Sequence, residues 1–290
     1  METHSTSKSS PRKGLRRFVG LDAFPQPPVI RTSHPVVLMH GFGLLSVLVR
    51  GGHLHDEALY LRLRGVVAYA PNVSPYQTVP TRAGMWRERL DHILEETGAD
   101  KVHLIAHSMG GLDARWLITR LGYAPHVESL TTIATPHRGS SVANIVLERP
   151  ERIQEWLSDA ANWAGERTID GGKANFRRAV QDLTPEYVQN HFNKEVPDHA
   201  DVRYYSYAGQ AGRDCENTIN PILRPLNALL YSKEGVNDGF VSVTSAQWGT
   251  YLGTVPADHG QQIGVDILSS SDFSSNEFMA SIVINVLNGR

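Results

Sequence analysis

The stretch Val102-His-Leu-Ile-Ala-His-Ser-Met-Gly-Gly111 constrains the fold more than any other part of the chain. An apolar run enters Ser108, and a helical pattern from Met109 to Leu121 begins at once and stops at Gly122. A serine in so tight a strand-to-helix turn needs small residues two positions to either side, where strand and helix approach. Ala106 and Gly110 meet that need, and Gly111 keeps the next position small. The turn lifts the serine Oγ above the sheet. It also leaves the Met109 N–H at the start of a helix, where an unpaired donor and the helix dipole favour a developing negative charge. Small-x-Ser-x-small runs occur by chance, but here a strand pattern and a helix pattern flank the serine as the geometry demands.

The rest of the chain alternates in the same way. Strand patterns at Val36–Met39, Val66–Ala70, Val102–Ala106 and Leu130–Ala134 are separated by helix patterns from Glu57 to Arg64, from about Arg82 to Thr97 and from Met109 to Leu121. Trp86, Leu90, Ile93 and Leu94 fall on one helical face and read as core. From about 141 to 200 the rhythm breaks into helical stretches with no convincing strand. Strand character returns at Val202–Ala208, Phe240–Val243 and Tyr251–Val255, and a closing helix from near Ser275 to Gly289 carries Phe278, Ile282 and Val286 in one row. Alternation of this kind predicts an α/β fold: a mostly parallel central sheet with flanking helices. The expected organisation is a tail over residues 1–30, then one domain over 31–290 with a helical cap at about 141–200. With 41% hydrophobic and 20% charged residues, the chain has the apolar surface for a core of that size.

A second motif, His40-Gly41-Phe42-Gly43, follows the first strand directly. α/β-Hydrolases place half of an oxyanion hole there, and glycines on both sides let the Phe42 N–H turn toward a substrate oxygen. Phe42 and Met109 are the expected donors, and His40, Gly41, Gly43 and His107 around them are expected to line the substrate site.

A serine nucleophile needs a base. Thirteen histidines compete, but the chain order serine, acid, histidine leaves His259, which alone follows His199 and lies in a loop after the last strand. The acid must precede it, which leaves Asp201, Asp214, Glu216, Glu234 and Asp238. Asp238 fits best, in a turn leading into an apolar run, where its carboxylate reaches the imidazole and holds the tautomer. Asn-Asp-Gly is also ordinary turn chemistry. His53, His55 and Asp56 are ligand-type residues close together, but nothing supplies the rest of a metal site, and a surface turn is the better reading.

Bulk properties narrow the partners. A formal net charge of −2 offers no electrostatic footprint for nucleic acid. The basic cluster Lys8, Arg12, Lys13, Arg16 and Arg17 reads as a solvated tail. Cys215 is the only cysteine, so no internal disulfide forms. The apolar run Pro35–Val49 is interrupted and falls short of the ~20 residues that span a bilayer, so no transmembrane segment is expected. No secretory signal follows Met1, which reads as cytoplasmic as written, or as secreted if a native leader is missing.

With these residues in hand, the chain resembles the bacterial true lipases (triacylglycerol lipases) of the α/β-hydrolase superfamily from about Pro35 to the C-terminus. Leu38-Met-His-Gly-Phe-Gly, Ala106-His-Ser-Met-Gly-Gly, Ile133-Ala-Thr-Pro-His-Arg-Gly, Leu183-Thr-Pro-Glu, Tyr204-Tyr-Ser-Tyr-Ala-Gly, Asn237-Asp-Gly and Asp258-His259 occur in the family's order. The resemblance implies a triad of Ser108, Asp238 and His259, oxyanion donors at Phe42 and Met109, and a mobile lid within the helical insertion. It implies a lipid or small-ester substrate, with transient contact at a lipid interface. Members that bind a structural calcium have an aspartate two residues after the catalytic histidine. Gln261 stands there in this chain, so no calcium or other cofactor is carried over. Apolar cap residues Leu147, Trp156 and Trp163 are candidates for an acyl groove. A short-chain carboxylesterase and an acyltransferase with the same triad are the rival expectations. A binding module on a hydrolase fold is disfavoured because all three triad positions are filled.

Overall fold

A computed structural model describes residues 29–43, 54–148, 173–265 and 271–287. Apart from residues 29 and 30, the expected tail lies outside these, as do His53, Trp156 and Trp163. The six strands are β1 (Val36–Met39), β2 (Ala68–Tyr69), β3 (Val102–His107), β4 (Val127–Ile133), β5 (Arg203–Gly209) and β6 (Thr250–Val255). They form one parallel sheet in the order β2-β1-β3-β4-β5-β6. The longer helices are α1 (His55–Leu63), α2 (Val79–Thr97), α3 (Met109–Arg120), α4 (Ser141–Glu148), α5 (Lys173–Gln181), α6 (Arg224–Glu234) and α7 (Ser275–Ile282).

Strands β1 and β3 are buried at every position, as a parallel strand covered on both faces must be. Alternate side chains then enter opposite layers. Val36, Leu38, Ile105 and Ile133 pack with Leu61 of α1 and with Met279 and Ile282 of α7. Val37, Met39, Leu104 and Ala106 pack with Trp86 and Leu90 of α2 and with Leu117 and Ile118 of α3. The period of two along each strand therefore divides the core into two layers with the sheet between them.

Helix α2 starts at Val79, earlier than its apolar periodicity predicts. Pro80 suits the first turn, and the Asp182 carboxylate accepts from the Val79 N–H at 2.8 Å, satisfying a donor the helix leaves open. The predicted strand Val66–Ala70 pairs with β1 only at Ala68 and Tyr69, because Gly65, at φ 88°, folds the chain back so that the Val66 N–H reaches Leu61 O. Phe240–Val243 is not a strand. The Asp238 Oδ1 accepts from the N–H groups of Phe240 and Val241 at 3.0 and 2.8 Å, and Ser242 Oγ caps a short helix, Val243–Ala246. After Ile282 the closing helix widens into a π-helical turn over Val283–Leu287. Among the described residues, no helix is long and apolar enough to cross a membrane.

Candidate active site

From β1 the chain moves outward to β2, then returns to β3 on the other side of β1 and continues in the opposite direction. In an open parallel sheet, such a reversal opens a crevice at the strands' carboxyl ends, where ligands bind. The carboxyl end of β1 carries His40, Gly41 and Phe42, and that of β3 carries Ser108. The two motifs singled out from sequence therefore meet at the switch point.

Ser108 has φ 56° and ψ −132°, a strained conformation for a residue with a side chain. The surroundings impose it. Its N–H donates to Ile133 O at 2.9 Å, and its carbonyl accepts from Thr135 Oγ1 at 2.7 Å and from the Gly111 N–H at 3.1 Å. A Cβ at Gly110 would lie 2.8 Å from the carbonyl oxygens of Met39 and His40, and one at Gly111 would run into the Thr135 side chain. The small residues around the serine are thus required by the close approach of helix, strand and neighbouring loop.

The structure brings Ser108, His259 and Asp238 together. The Ser108 Oγ lies 2.9 Å from His259 Nε2, and His259 Nδ1 lies 2.7 Å from Asp238 Oδ2. The backbone reinforces the pair, since the His259 N–H donates to Asp238 O at 3.0 Å. Asp238 is fully buried and its Oδ1 is held by the two turn amides, so the carboxylate has one orientation toward the imidazole. The His107 and Phe240 rings flank His259, with centroids 4.5 and 5.1 Å away. Of the other acids weighed, Glu234 accepts from the Ser141 N–H and from Ser242 Oγ. Asp214 pairs with the Tyr231 hydroxyl, and Asp201 is exposed beside His199.

Gly41 packs directly against the elbow: a Cβ there would lie 2.6 Å from the Ser108 Cβ and 3.0 Å from the Met109 N. The neighbouring Phe42 N–H and the Met109 N–H donate to no group among the described residues. Both are free to serve an oxyanion at this point of the crevice. Behind them, Arg82 holds the loop. Its guanidinium donates to His40 O at 2.7 Å, to Ser74 O at 2.9 Å and to Asp113 Oδ2 at 2.8 Å, with both ionic side chains fully buried. The loop after β1, α2 and α3 are thereby locked through one ion pair. Burial raises the Asp113 carboxyl to about 6 against the pull of Arg82.

The crevice opens into an apolar cavity of about 70 Å³, lined by Gly41, Phe42, His107, Val142, Val146 and Phe176 among others. Helices α4 and α5 form its outer wall, and Phe42 packs against both Tyr76 and Phe176. Gly41 and His107 face this space as expected from sequence. His40 and Gly43 do not. The His40 ring points back into the core, where Nε2 accepts from the Val73 N–H at 3.1 Å, and the Gly43 N–H donates to Pro75 O at 3.1 Å. Their part is to shape the loop. Leu147 packs in the cluster beneath α4 and not on the cavity surface. His55 meets the Ala70 carbonyl at 3.0 Å.

Two further side chains, to which the sequence gives no role, complete the site. The Asp258 Oδ1 accepts from Asn220 Nδ2 and from the N–H groups of Gly260 and Gln261, each at 2.9 Å, while Oδ2 accepts from the Asn220 N–H at 2.7 Å. Gln261 Oε1 accepts from the Asp258 N–H at 2.8 Å. The loop carrying His259 is therefore closed by amide donors around one carboxylate. Burial raises the Asp258 carboxyl, and these donors oppose the rise. The second is Gln262, whose Nε2 lies 3.0 Å from Asp238 Oδ2. Asn220 and Asp238 are distant in sequence from Asp258 and Gln262, so only the folded loop reveals these two contacts.

Sheet order, switch-point crevice and elbow define an α/β-hydrolase fold. A PGAP1-like alpha/beta domain model matches residues 85–168, which contain the Ser108 elbow. The chain is 28% identical to a triacylglycerol lipase of Vibrio cholerae over 263 residues, covering 81% of this chain and 80% of that protein. It is 29% identical to triacylglycerol lipase 2 of Saccharomyces cerevisiae over 202 residues, covering 68% of this chain but only 57% of the yeast protein. Among solved structures, a metagenomic carboxyl esterase superposes with a TM-score of 0.67 at 21% identity, covering 90% of this chain and 76% of that one. A mature Bacillus licheniformis lipase superposes with a TM-score of 0.59 at 24% identity, covering 81% of this chain and 89% of that one. The chain thus shares the α/β-hydrolase fold of these structures and is similar in sequence to triacylglycerol lipases.

Proposed function

We propose that the chain is a serine ester hydrolase that cleaves acyl esters, acylglycerols included, through an acyl-enzyme. The observation that carries this reading is the hydrogen-bonded run from Asp238 through His259 to Ser108 at the mouth of an apolar cavity. As Ser108 Oγ attacks the ester carbon, its proton passes to His259 Nε2, and Asp238 stabilises the imidazolium. The substrate oxygen becomes negative and accepts from the Phe42 and Met109 N–H groups. The imidazolium then protonates the departing alkoxide as the C–O bond breaks. A water loses its proton to His259 and adds to the acyl carbon, and the acid leaves as Ser108 regains its proton.

A cavity of about 70 Å³ lies far below the roughly 300–1,000 Å³ of typical drug-sized ligand pockets. It favours a second reading, a short-chain carboxylesterase, unless α4 and α5 separate on contact with a lipid surface. No step is assigned to calcium, because the Asp258 oxygens are filled by N–H donors and the neighbouring position holds the neutral Gln261.

Hydrolysis of p-nitrophenyl esters of increasing chain length, and of triacylglycerol below and above its solubility, tests the proposal. The lipase reading expects rates that rise with chain length and jump when an emulsion forms. The esterase reading expects short chains to win with no jump. A wild-type protein that hydrolyses no ester, or an equally active Ser108→Ala variant, ends both.

A further inference from the structure

Gln262 is fully buried one turn beyond His259, with its backbone N–H on Asp258 O at 3.1 Å. Its side-chain amide lies between two acceptors, Asp238 Oδ2 at 3.0 Å and Ala257 O at 3.3 Å. Two acceptors on the same atom fix that atom as the nitrogen, so the amide donates to the triad carboxylate. The other end, Oε1, finds no donor among the described residues. A buried carbonyl without a partner is unfavourable, so packing alone does not account for an amide here. The fold makes room for it: a Cβ at Gly209, at the end of β5, would collide with the Gln262 amide nitrogen.

We infer that Gln262 is a positioning residue that acts through Asp238, fixing the carboxylate plane and taking part of the Oδ2 charge that would otherwise go to His259. The inference rests on the serine-hydrolase reading above. Oδ2 accepts from His259 Nδ1 at 2.7 Å and from Gln262 at 3.0 Å, while Oδ1 is held by the Phe240 and Val241 amides. Each donor to a carboxylate stabilises its charge and lowers the pull it exerts on a proton shared with a neighbour. With the Gln262 donor present, less of the Oδ2 charge acts on the Nδ1 proton, and the carboxylate keeps its orientation toward the imidazole. The other titratable groups around the pair are His107, at the end of β3, whose ring faces His259, and Asp258, whose carboxylate is turned toward Asn220.

The test is the pH dependence of kcat/KM on a soluble short-chain ester for wild type, Gln262→Met and Gln262→Asn. Met keeps the length of the side chain without the donor. Asn keeps an amide that is one methylene too short to reach Oδ2, and it carries the test should the Met variant not fold. The expected result is an acid limb moved to higher pH by about half a unit, with kcat about tenfold lower and KM within twofold. The Gln262→Met variant is also expected to melt no earlier than wild type, since it removes an unpaired carbonyl. In an Asp238→Asn background the same substitution should leave both kcat and the acid limb unchanged, because the carboxylate through which it acts is gone. An unmoved acid limb in the single variants overturns the inference, as does an equal loss in the Asp238→Asn background. A wild type without esterase activity would instead refute the serine-hydrolase reading.

Discussion

Gly41→Ala tests the oxyanion loop with the smallest possible change. Gly41 does not occupy the left-handed region, so its backbone conformation accepts alanine without strain. The added methyl group is the whole perturbation. It would lie 2.6 Å from the Ser108 Cβ, 2.9 Å from His107 O and 3.0 Å from the Met109 N. Carbon atoms in contact prefer ~3.5–4.0 Å, so the loop must retreat by about 1 Å from the elbow. That motion carries the adjacent Phe42 N–H away from the substrate oxygen. Loss of one oxyanion donor costs ~2.7–4 kcal/mol of transition-state stabilisation, a fall in kcat of ~10²–10³. KM on a short p-nitrophenyl ester is expected to stay within a few-fold, because the cavity wall is otherwise intact. The measurement is kcat and KM beside near-ultraviolet circular dichroism, which reports whether the core is preserved. A kcat within threefold of wild type in a folded protein would refute the assignment of Phe42 as a donor.

Arg82→Met leaves Asp113 buried without its cation and is expected to destabilise the fold by ~3–5 kcal/mol in denaturant melts, whereas Arg82→Met with Asp113→Leu should recover much of the loss. Asp182, which follows α5 and accepts from the first N–H of α2, is raised by burial to about 6, so the folded protein holds a proton there that the unfolded chain releases near pH 4. That contribution is fully present below about pH 4 and is lost as pH rises past about 6. Asp182→Asn should therefore match wild type near pH 4 and exceed it by ~1–3 kcal/mol at pH 7 in chemical denaturation, and a difference that does not change with pH would contradict the burial argument. Extended dialysis against EDTA should change neither activity nor melting temperature, since the Asp258 oxygens are already occupied by amide donors; a loss restored by calcium would overturn this.

The parts of this molecule that announce themselves in sequence are those governed by short-range pattern. β1 and β3 are apolar runs because both faces are buried, and the elbow is legible because small residues are forced by a steric clash within a few positions of Ser108. His259 was found by its place in the chain order. Phe240–Val243 misled because its apolar character suits a strand, while the Asp238 carboxylate and the Ser242 hydroxyl capture the backbone N–H groups that a ladder would use. The Arg82–Asp113 pair, the Asp258–Asn220 closure and the Gln262 donor were invisible because each joins segments that only the tertiary fold brings together. His40 and Gly43 neighbour Phe42 yet turn their ring and N–H away from the cavity, and local sequence does not say which way a loop faces.

The reversal of strand order between β1 and β3 has a consequence for the life of the polypeptide. The Phe42 amide comes from one side of that junction, and Ser108 and the Met109 amide come from the other. Until the two strands align, the nucleophile has only one of the two amides that receive the charge it creates. A nascent or damaged molecule is thus expected to be slow toward esters, and full turnover during refolding returns only once this seam has closed.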